Sequence, residues 1–341
     1  MTSTPSSDLR LSALHTWLSQ LSEFNLNVAS MEIASADASF RRYFRIWDQE
    51  QRSFIVMDAP PPAEDVKPFI QIDQLFASLN LSVPKIFAQE IEQGFLLLSD
   101  FGNTMYSHVL NHDSAHKLYM DAIDSLILLQ NQSQPDVLPE YDREFLLREL
   151  QLFPEWYLEK HCGAQLTDKQ KATINQVFDA LLANIMAQPQ VFVHRDFHSR
   201  NLMVLERGNP GIIDFQGALY GPITYDLVSL LRDAYIQWDE EMVLDWAIRY
   251  WEKAKRAGLP VQTDIDEFYR DFEFMGLQRH LKILGIFARL AIRDGKEQYL
   301  NDIPVVLEYV RKALGRYNNL IPLMRIMDEI HDTAPKFGYT F

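Results

Sequence analysis

"VHRDFHSRN", residues Val193–Asn201, sets His194, Asp196 and His198 at alternate positions and Asn201 five residues after Asp196. Taken alone, the stretch fits a metal-ligand cluster, the catalytic loop of a phosphotransferase, or a polar turn between strands. Its flanks narrow the choice: a strand-like "VFVH" leads in, "NLMVLE" leads out, and a third strand-like run, "GIIDF", ends at Asp214 and Phe215. If the three runs form one small sheet, Asp196, Asn201 and Asp214 meet at one of its edges. Hard oxygen donors there suit Mg²⁺, which takes one or two carboxylates and fills its shell with phosphate oxygens and water. Phosphoryl transfer also needs a carboxylate beside the acceptor hydroxyl, to orient it and accept its proton. On this reading Asp196 is the base and Asn201 and Asp214 hold metal. A His/Asp/His zinc site fits less well. Alternate residues share a face only on a strand, these follow one, and no further histidine pattern completes a zinc shell.

Working outward, the spacing predicts a short helix from Leu9 to Ser22, then the strands "VASMEIASA", "FRRYFRIW" and "SFIVMDA" separated by polar turns. A helix with an apolar stripe runs from about Glu64 to Leu79, and "PKIFAQ" and "GFLLLS" add two strands before Asp100. Beyond Asn103 apolar residues recur at helical spacing, interrupted only by the β interlude from Val191 to Phe215. The expected class is α+β: a β-rich lobe over residues 1–100, and a larger helical lobe over 101–341 that carries the β insert 191–215.

The chain has 341 residues, 47% of them hydrophobic and 23% charged, which is the profile of a folded protein with a large core. Its formal charge of -15 disfavours nucleic acid and anionic lipid as partners. A single cysteine, Cys162, forbids an internal disulfide and any cysteine-based metal cage. The N-terminus lacks the basic and continuously apolar segments of a signal peptide, and no run is long enough to span a membrane. The expectation is a cytoplasmic protein; nothing in the sequence sets its oligomeric state.

The H-x-D-x-x-x-x-N spacing of His194, Asp196 and Asn201, with "IIDF" following, resembles the motif pair of the aminoglycoside phosphotransferase family, relatives of the protein kinases. The resemblance covers nearly the whole chain. It implies a bilobal kinase-like fold, ATP and Mg²⁺ as cofactors, an N-terminal nucleotide-binding lobe, His194 as a structural support of the loop, and Asp226 in "PITYDLVSLLRD" as its brace. "SADASFRRYFR", "VMDAPPPAEDVKPF" and "GFLLLSDFG" are similar, more narrowly, to the bacterial anomeric sugar kinases of cell-wall recycling. Those enzymes phosphorylate N-acetylmuramate and N-acetylglucosamine at C1, which implies a small-molecule sugar substrate. Cationic acceptors, choline-like amines or aminoglycosides, are the alternative, and a kinase-like binding module without turnover is a further one.

Several features depart from the kinase pattern. "DFG" at Asp100–Gly102 precedes the catalytic loop instead of following it, so it reads as a hinge in which Leu98, Ser99, Asp100 and Phe101 approach adenine. The segment "SADASFRR", Ser35–Arg42, has no glycine, which leaves small residues such as Ser39 to cradle phosphate. The third strand carries Met57 and Asp58 where a kinase lysine would grip phosphates, so Arg41, Arg42 and Arg45 are candidates for the positive charge, at least one of them toward ATP phosphates or, alternatively, the lactyl carboxylate of muramate; solvated strand charges are the plainer reading. Alternation puts Arg41, Tyr43 and Arg45 on one face and Phe40, Arg42 and Phe44 on the other. His198 and Gln216 are candidates to orient phosphate or acceptor, as is the helical run "FEFMGLQRHLKILGIFARL" (Phe272–Leu290). Only eleven residues separate Asp214 from Asp226, and "QGALYGPIT" reads as a compact turn, so there is no room for an activation segment. Arg195 therefore has no activation-loop phosphate to bind and reads as a local structural residue.

Overall fold

The computed structural model describes residues 5–36 and 40–331. In chain order its elements begin with α1 (Pro5–Gln20), β1 (Leu26–Ala36), β2 (Arg42–Asp48), β3 (Ser53–Asp58), α2 (Lys67–Ser78), β4 (Ile86–Glu90) and β5 (Phe95–Ser99). The helices α3 (Tyr106–Val109), α4 (Ala115–Asn131), α5 (Arg143–Leu150) and α6 (Asp168–Ala187) follow. Next come the short strands β6 (Gln190–Val193), β7 (Leu202–Met203), β8 (Gly211–Ile212) and β9 (Leu219–Pro222). The chain continues through α7 (Tyr225–Leu231), α8 (Glu240–Arg256), α9 (Ile265–Asp294), α10 (Ile303–Arg316) and α11 (Ile321–Ile330). No helix among the described residues is long and apolar enough to cross a membrane.

The elements fall into two compact units, Met1–Met105 with Leu202–Gly217, and Tyr106–Asn201 with Ala218–Phe341. The first is built on an antiparallel sheet in the order β1-β2-β3-β5-β4. Period-two alternation sends Phe44 and Ile46 of β2, Phe54 and Val56 of β3, and Phe95 and Leu97 of β5 to one face, where Leu14, Trp17 and Leu18 of α1 cover them. Burying each such side chain contributes about 1.5–3 kcal/mol, which fixes the register of all three strands. Arg42 lies two residues before Phe44, on the face that α1 covers, whereas Tyr43 and Arg45 lie on the opposite face.

The second unit is helical around α9, thirty residues long, whose N-terminus is capped by the Asp264 side chain accepting the N–H groups of Asp266 and Glu267. It also holds β6, which pairs antiparallel with β9. Here the structure corrects the sequence reading. The interlude is not one sheet: β6 pairs with β9, and β7 pairs with β8 in the first unit. β9 occupies the stretch read as a turn because it contains Gly221 and ends on Pro222, residues that usually mark strand breaks. Gly221 instead serves close approach, since a Cβ there would stand 2.8 Å from Cβ of Tyr141. Residues Leu202–Gly217, which include the second half of the 191–215 insert, thus belong to the first unit.

Candidate active site

Two of the non-glycine residues in left-handed backbone, Arg195 (φ 77°) and Asp214 (φ 62°), belong to the motifs singled out above. Such conformations persist where the surroundings over-determine them, and they concentrate at functional sites.

In the second unit the loop after β6 is tied down at every turn. Asp226, the second residue of α7, is buried and accepts the N–H of His194 at 2.6 Å and of Arg195 at 2.9 Å. His194, also buried, uses Nδ1 to accept the N–H of Asp196 at 3.2 Å. The Asn201 N–H donates to the His198 carbonyl at 2.9 Å, and its side-chain Nδ2 to the Asp196 carbonyl at 3.1 Å. His194, Asp196, His198, Asn201 and Asp226 are thereby assembled in one hydrogen-bonded loop, with Asp196 half-buried. The ring nitrogen of His194 is engaged within this loop. Among the described residues no cluster of three His, Cys, Asp or Glu side chains is arranged to hold a metal ion.

The charges around Asp196 decide its state. Burial would raise its carboxyl, but His198, Lys282, Arg279 and His194 outweigh burial and hold it below the ordinary carboxylate value. Burial pushes the His198 imidazole down, against the pull of Asp233 and Asp196. Its Nδ1 is buried without a hydrogen-bond partner among the described residues, and its ring meets Tyr235 edge-on at 5.5 Å. Arg195 reaches Glu149 of α5 at 2.7 Å, and Lys282 reaches the same carboxylate at 2.9 Å. Tyr141 donates its hydroxyl to Glu149 as well. Glu149 therefore anchors the loop from behind.

In the first unit, Asp214 and Gln216 follow β8, and the Gln216 amide donates to Asp214 Oδ1 at 2.7 Å. Between them Phe215 is buried against α2, its ring 4.8 Å from Phe69 and 5.7 Å from Phe76. The same helix face carries Asp73, one turn from each phenylalanine; it is buried, and its Oδ1 has no partner among the described residues. Burial pushes this carboxyl up to about 7.

The strand arginines are all engaged by carboxylates. Arg41 pairs with Glu64 at 3.0 Å and Arg45 with Asp100 at 2.6 Å. Arg42 donates to Asp58 at 2.9 Å, and Arg10 of α1 donates to the other oxygen of Asp58 at 2.7 Å. The position of the absent lysine is thus held by a buried acid bracketed by two arginines. Arg45 also reaches Asn103 Oδ1 at 2.6 Å and the Gly102 carbonyl at 3.2 Å, while the Gly102 N–H donates to Asp100 at 2.8 Å. "DFG" is therefore a turn stapled to β2. Leu98 lies within β5, and the Ser99 N–H donates to the Lys85 carbonyl at 2.9 Å. Phe101 packs where a Cβ on Gly211 would come within 2.7 Å of its ring. Ser39 lies outside the described residues.

Sequence reasoning missed Arg10, Asp73, Glu149, Arg279 and Lys282 as named contributors. The last two fall in the run Phe272–Leu290, and the available signal was a buried-looking apolar helix interrupted by Arg279, His280 and Lys282. Charged groups do not enter such an interior without partners.

Comparison with known proteins extends the geometry. The family model described as "Phosphotransferase enzyme family" matches residues 30–259. The N-acetylmuramate/N-acetylglucosamine kinase of Neisseria meningitidis serogroup B is 51% identical over 316 residues, covering 91% of this chain and 94% of that protein. The protein of the same name from Pseudomonas putida is 45% identical over 338 residues, covering 97% and 99%. Among solved structures, choline kinase LicA from Streptococcus pneumoniae matches with a TM-score of 0.63 at 13% identity, over 88% of this chain and 99% of that one. At that identity the match speaks to the fold alone, and it is the kinase-like α+β fold expected from the sequence.

Proposed function

The chain belongs to the phosphotransferase enzyme family, and from that premise we propose that it is an ATP-dependent sugar kinase acting on the C1 hydroxyl of N-acetylmuramate and N-acetylglucosamine. The observation that carries this reading is the 51% and 45% identity, over at least nine-tenths of the chain, to two kinases of that name.

Asn201 and Asp214 are the proposed donors to the Mg²⁺ of the nucleotide. Asn201 and Asp214 provide an amide oxygen and a carboxylate, the hard donors such a metal takes, and Gln216 fixes one Asp214 oxygen through its amide. When bound, Mg·ATP supplies the electrophilic phosphoryl group and the neutralising charge. Asp196 orients the acceptor hydroxyl and takes its proton. Because its neighbours keep it ionised and weakly basic, orientation outweighs proton removal, which suits an anomeric hydroxyl, more acidic than an ordinary alcohol. His194 and Asp226 keep Asp196 in place. Backbone groups of Leu98, Ser99, Asp100 and Phe101 contact adenine, and at least one of Arg41 and Arg45, which alternation sets on the face opposite Arg42, supplies positive charge on the nucleotide side.

A panel of acceptors with Mg·ATP, read by ADP release, tests the reading. Turnover of N-acetylmuramate and N-acetylglucosamine is expected. Turnover of choline or kanamycin, with the two sugars inert, would contradict it.

A further inference from the structure

Helix α7 has three functions within one turn and a half. Tyr225 accepts from Lys282 at 3.0 Å, Asp226 holds the loop that carries Asp196, and Ser229 Oγ accepts Arg279 Nε at 2.6 Å. The three contacts bring Lys282 and Arg279, both on α9, into the surroundings of Asp196, and both feature among the groups that hold its carboxyl low. Lys282 is neutralised by Glu149 at 2.9 Å. Arg279 is not. It is 5% exposed, and among the described residues its only hydrogen bond is the one to Ser229 and it makes no ion pair. Its two terminal nitrogens are also absent from the buried atoms that lack partners.

Burial opposes the charge of Arg279, yet Tyr225, Asp196 and Asp233 more than offset it, so the guanidinium stays charged. A buried guanidinium, held by Nε and with its outer edge unpaired, has the geometry that takes one planar carboxylate bidentately. The strand arginines, the other cations considered for an acceptor carboxylate, each already have an acidic partner.

We propose that Arg279 is the specificity-determining residue that binds the lactyl carboxylate of N-acetylmuramate, with Ser229 as its positioning residue. The inference rests on the sugar-kinase reading above and deepens it. It implies that the two sugars are held differently, since N-acetylglucosamine has no carboxylate to offer.

The test is kcat/KM for each sugar, and KM for ATP, in Arg279→Gln, Arg279→Lys and Ser229→Ala, together with the methyl ester of N-acetylmuramate as an acceptor for the unmodified enzyme. Arg279→Gln is expected to lose about 10- to 100-fold more on N-acetylmuramate than on N-acetylglucosamine, the weight of a charge-assisted pair. Arg279→Lys and Ser229→Ala should show the same direction with a smaller ratio. The unmodified enzyme should prefer the acid to the ester by a similar factor, and Arg279→Gln should not distinguish them. If Arg279→Gln does not fold, the acid-to-ester ratio and the Lys variant decide. Equal losses on both sugars with a raised KM for ATP would assign Arg279 to phosphate and overturn the proposal, as would an ester turned over as well as the acid. An unmodified enzyme inert toward both sugars would instead overturn the sugar-kinase reading itself.

Discussion

Asp226 accepts the backbone N–H of His194 at 2.6 Å, and with its other oxygen the N–H of the next residue, so one buried carboxylate shapes the loop that presents Asp196. Burial pushes Asp226 up to about 7, against the two N–H bonds that favour the anion. Asp226→Asn turns one acceptor into a donor facing a donor. The expected result is a loss of about 1–3 kcal/mol in stability, together with a fall in kcat of tenfold or more. Thermal unfolding and steady-state kinetics on the same preparation check it. Unchanged values for both would show that the loop does not depend on this brace.

Asp196→Asn is expected to lower sugar phosphorylation by about 10²-fold or more while nucleotide binding persists. In the unmodified enzyme the depressed carboxyl sets the acid limb. A group with a lowered pKa stays ionised as pH falls through the ordinary carboxylate range and is lost only below it, so kcat/KM should hold down to about pH 4. An acid limb between pH 6 and 7 would assign the titration to another group, the Asp226 brace or a different base.

Asp73 carries the opposite sign. Its folded-state value of about 7 lies above the unfolded value, so ionising it penalises the fold; the penalty is absent below about pH 4, grows toward 7 and is complete above. Asp73→Asn should therefore stabilise the protein by up to about 4 kcal/mol at pH 8, and the gain should vanish near pH 4. Denaturant titrations at the two pH values measure this. A destabilised variant at pH 8 would mean that the carboxylate has a partner of value in the working enzyme.

Arg45 ties β2 to Asp100, Gly102 and Asn103. Arg45→Ala is expected to raise KM for ATP about tenfold through loss of the turn at Asp100–Asn103 and of local charge, with kcat at saturating ATP little changed. A buried hydrogen-bonded ion pair has at least that weight. An unaltered KM would remove Arg45 from the nucleotide side.

The strand and helix order of the first hundred residues was legible because alternation and helical spacing are strong there, as at Phe44 and Ile46 or Phe69 and Phe76. The loop from His194 to Asn201 was legible because its polar residues have fixed spacing. The pairing of β6 with β9 was not, since Gly221 serves close packing on Tyr141, and a sequence shows the glycine but not the ring it accommodates. Nor were the partners of the arginines: Arg45 finds Asp100 55 positions away, and Arg195 finds Glu149 46 positions away. Long-range ion pairs of that kind leave no periodic trace. Arg279 was visible only as a charge in an apolar run; its bond to Ser229 is what gives it a direction.

The most direct measurement is phosphorus NMR of the product formed from N-acetylmuramate and Mg·ATP. The expected product is an acid-labile phosphate whose signal couples to the anomeric proton, formed by the unmodified enzyme and nearly absent with Asp196→Asn. A phosphate on C6 or C4, or a product formed equally well by Asp196→Asn, would contradict the assignment of this chain as an anomeric sugar kinase with Asp196 at the acceptor.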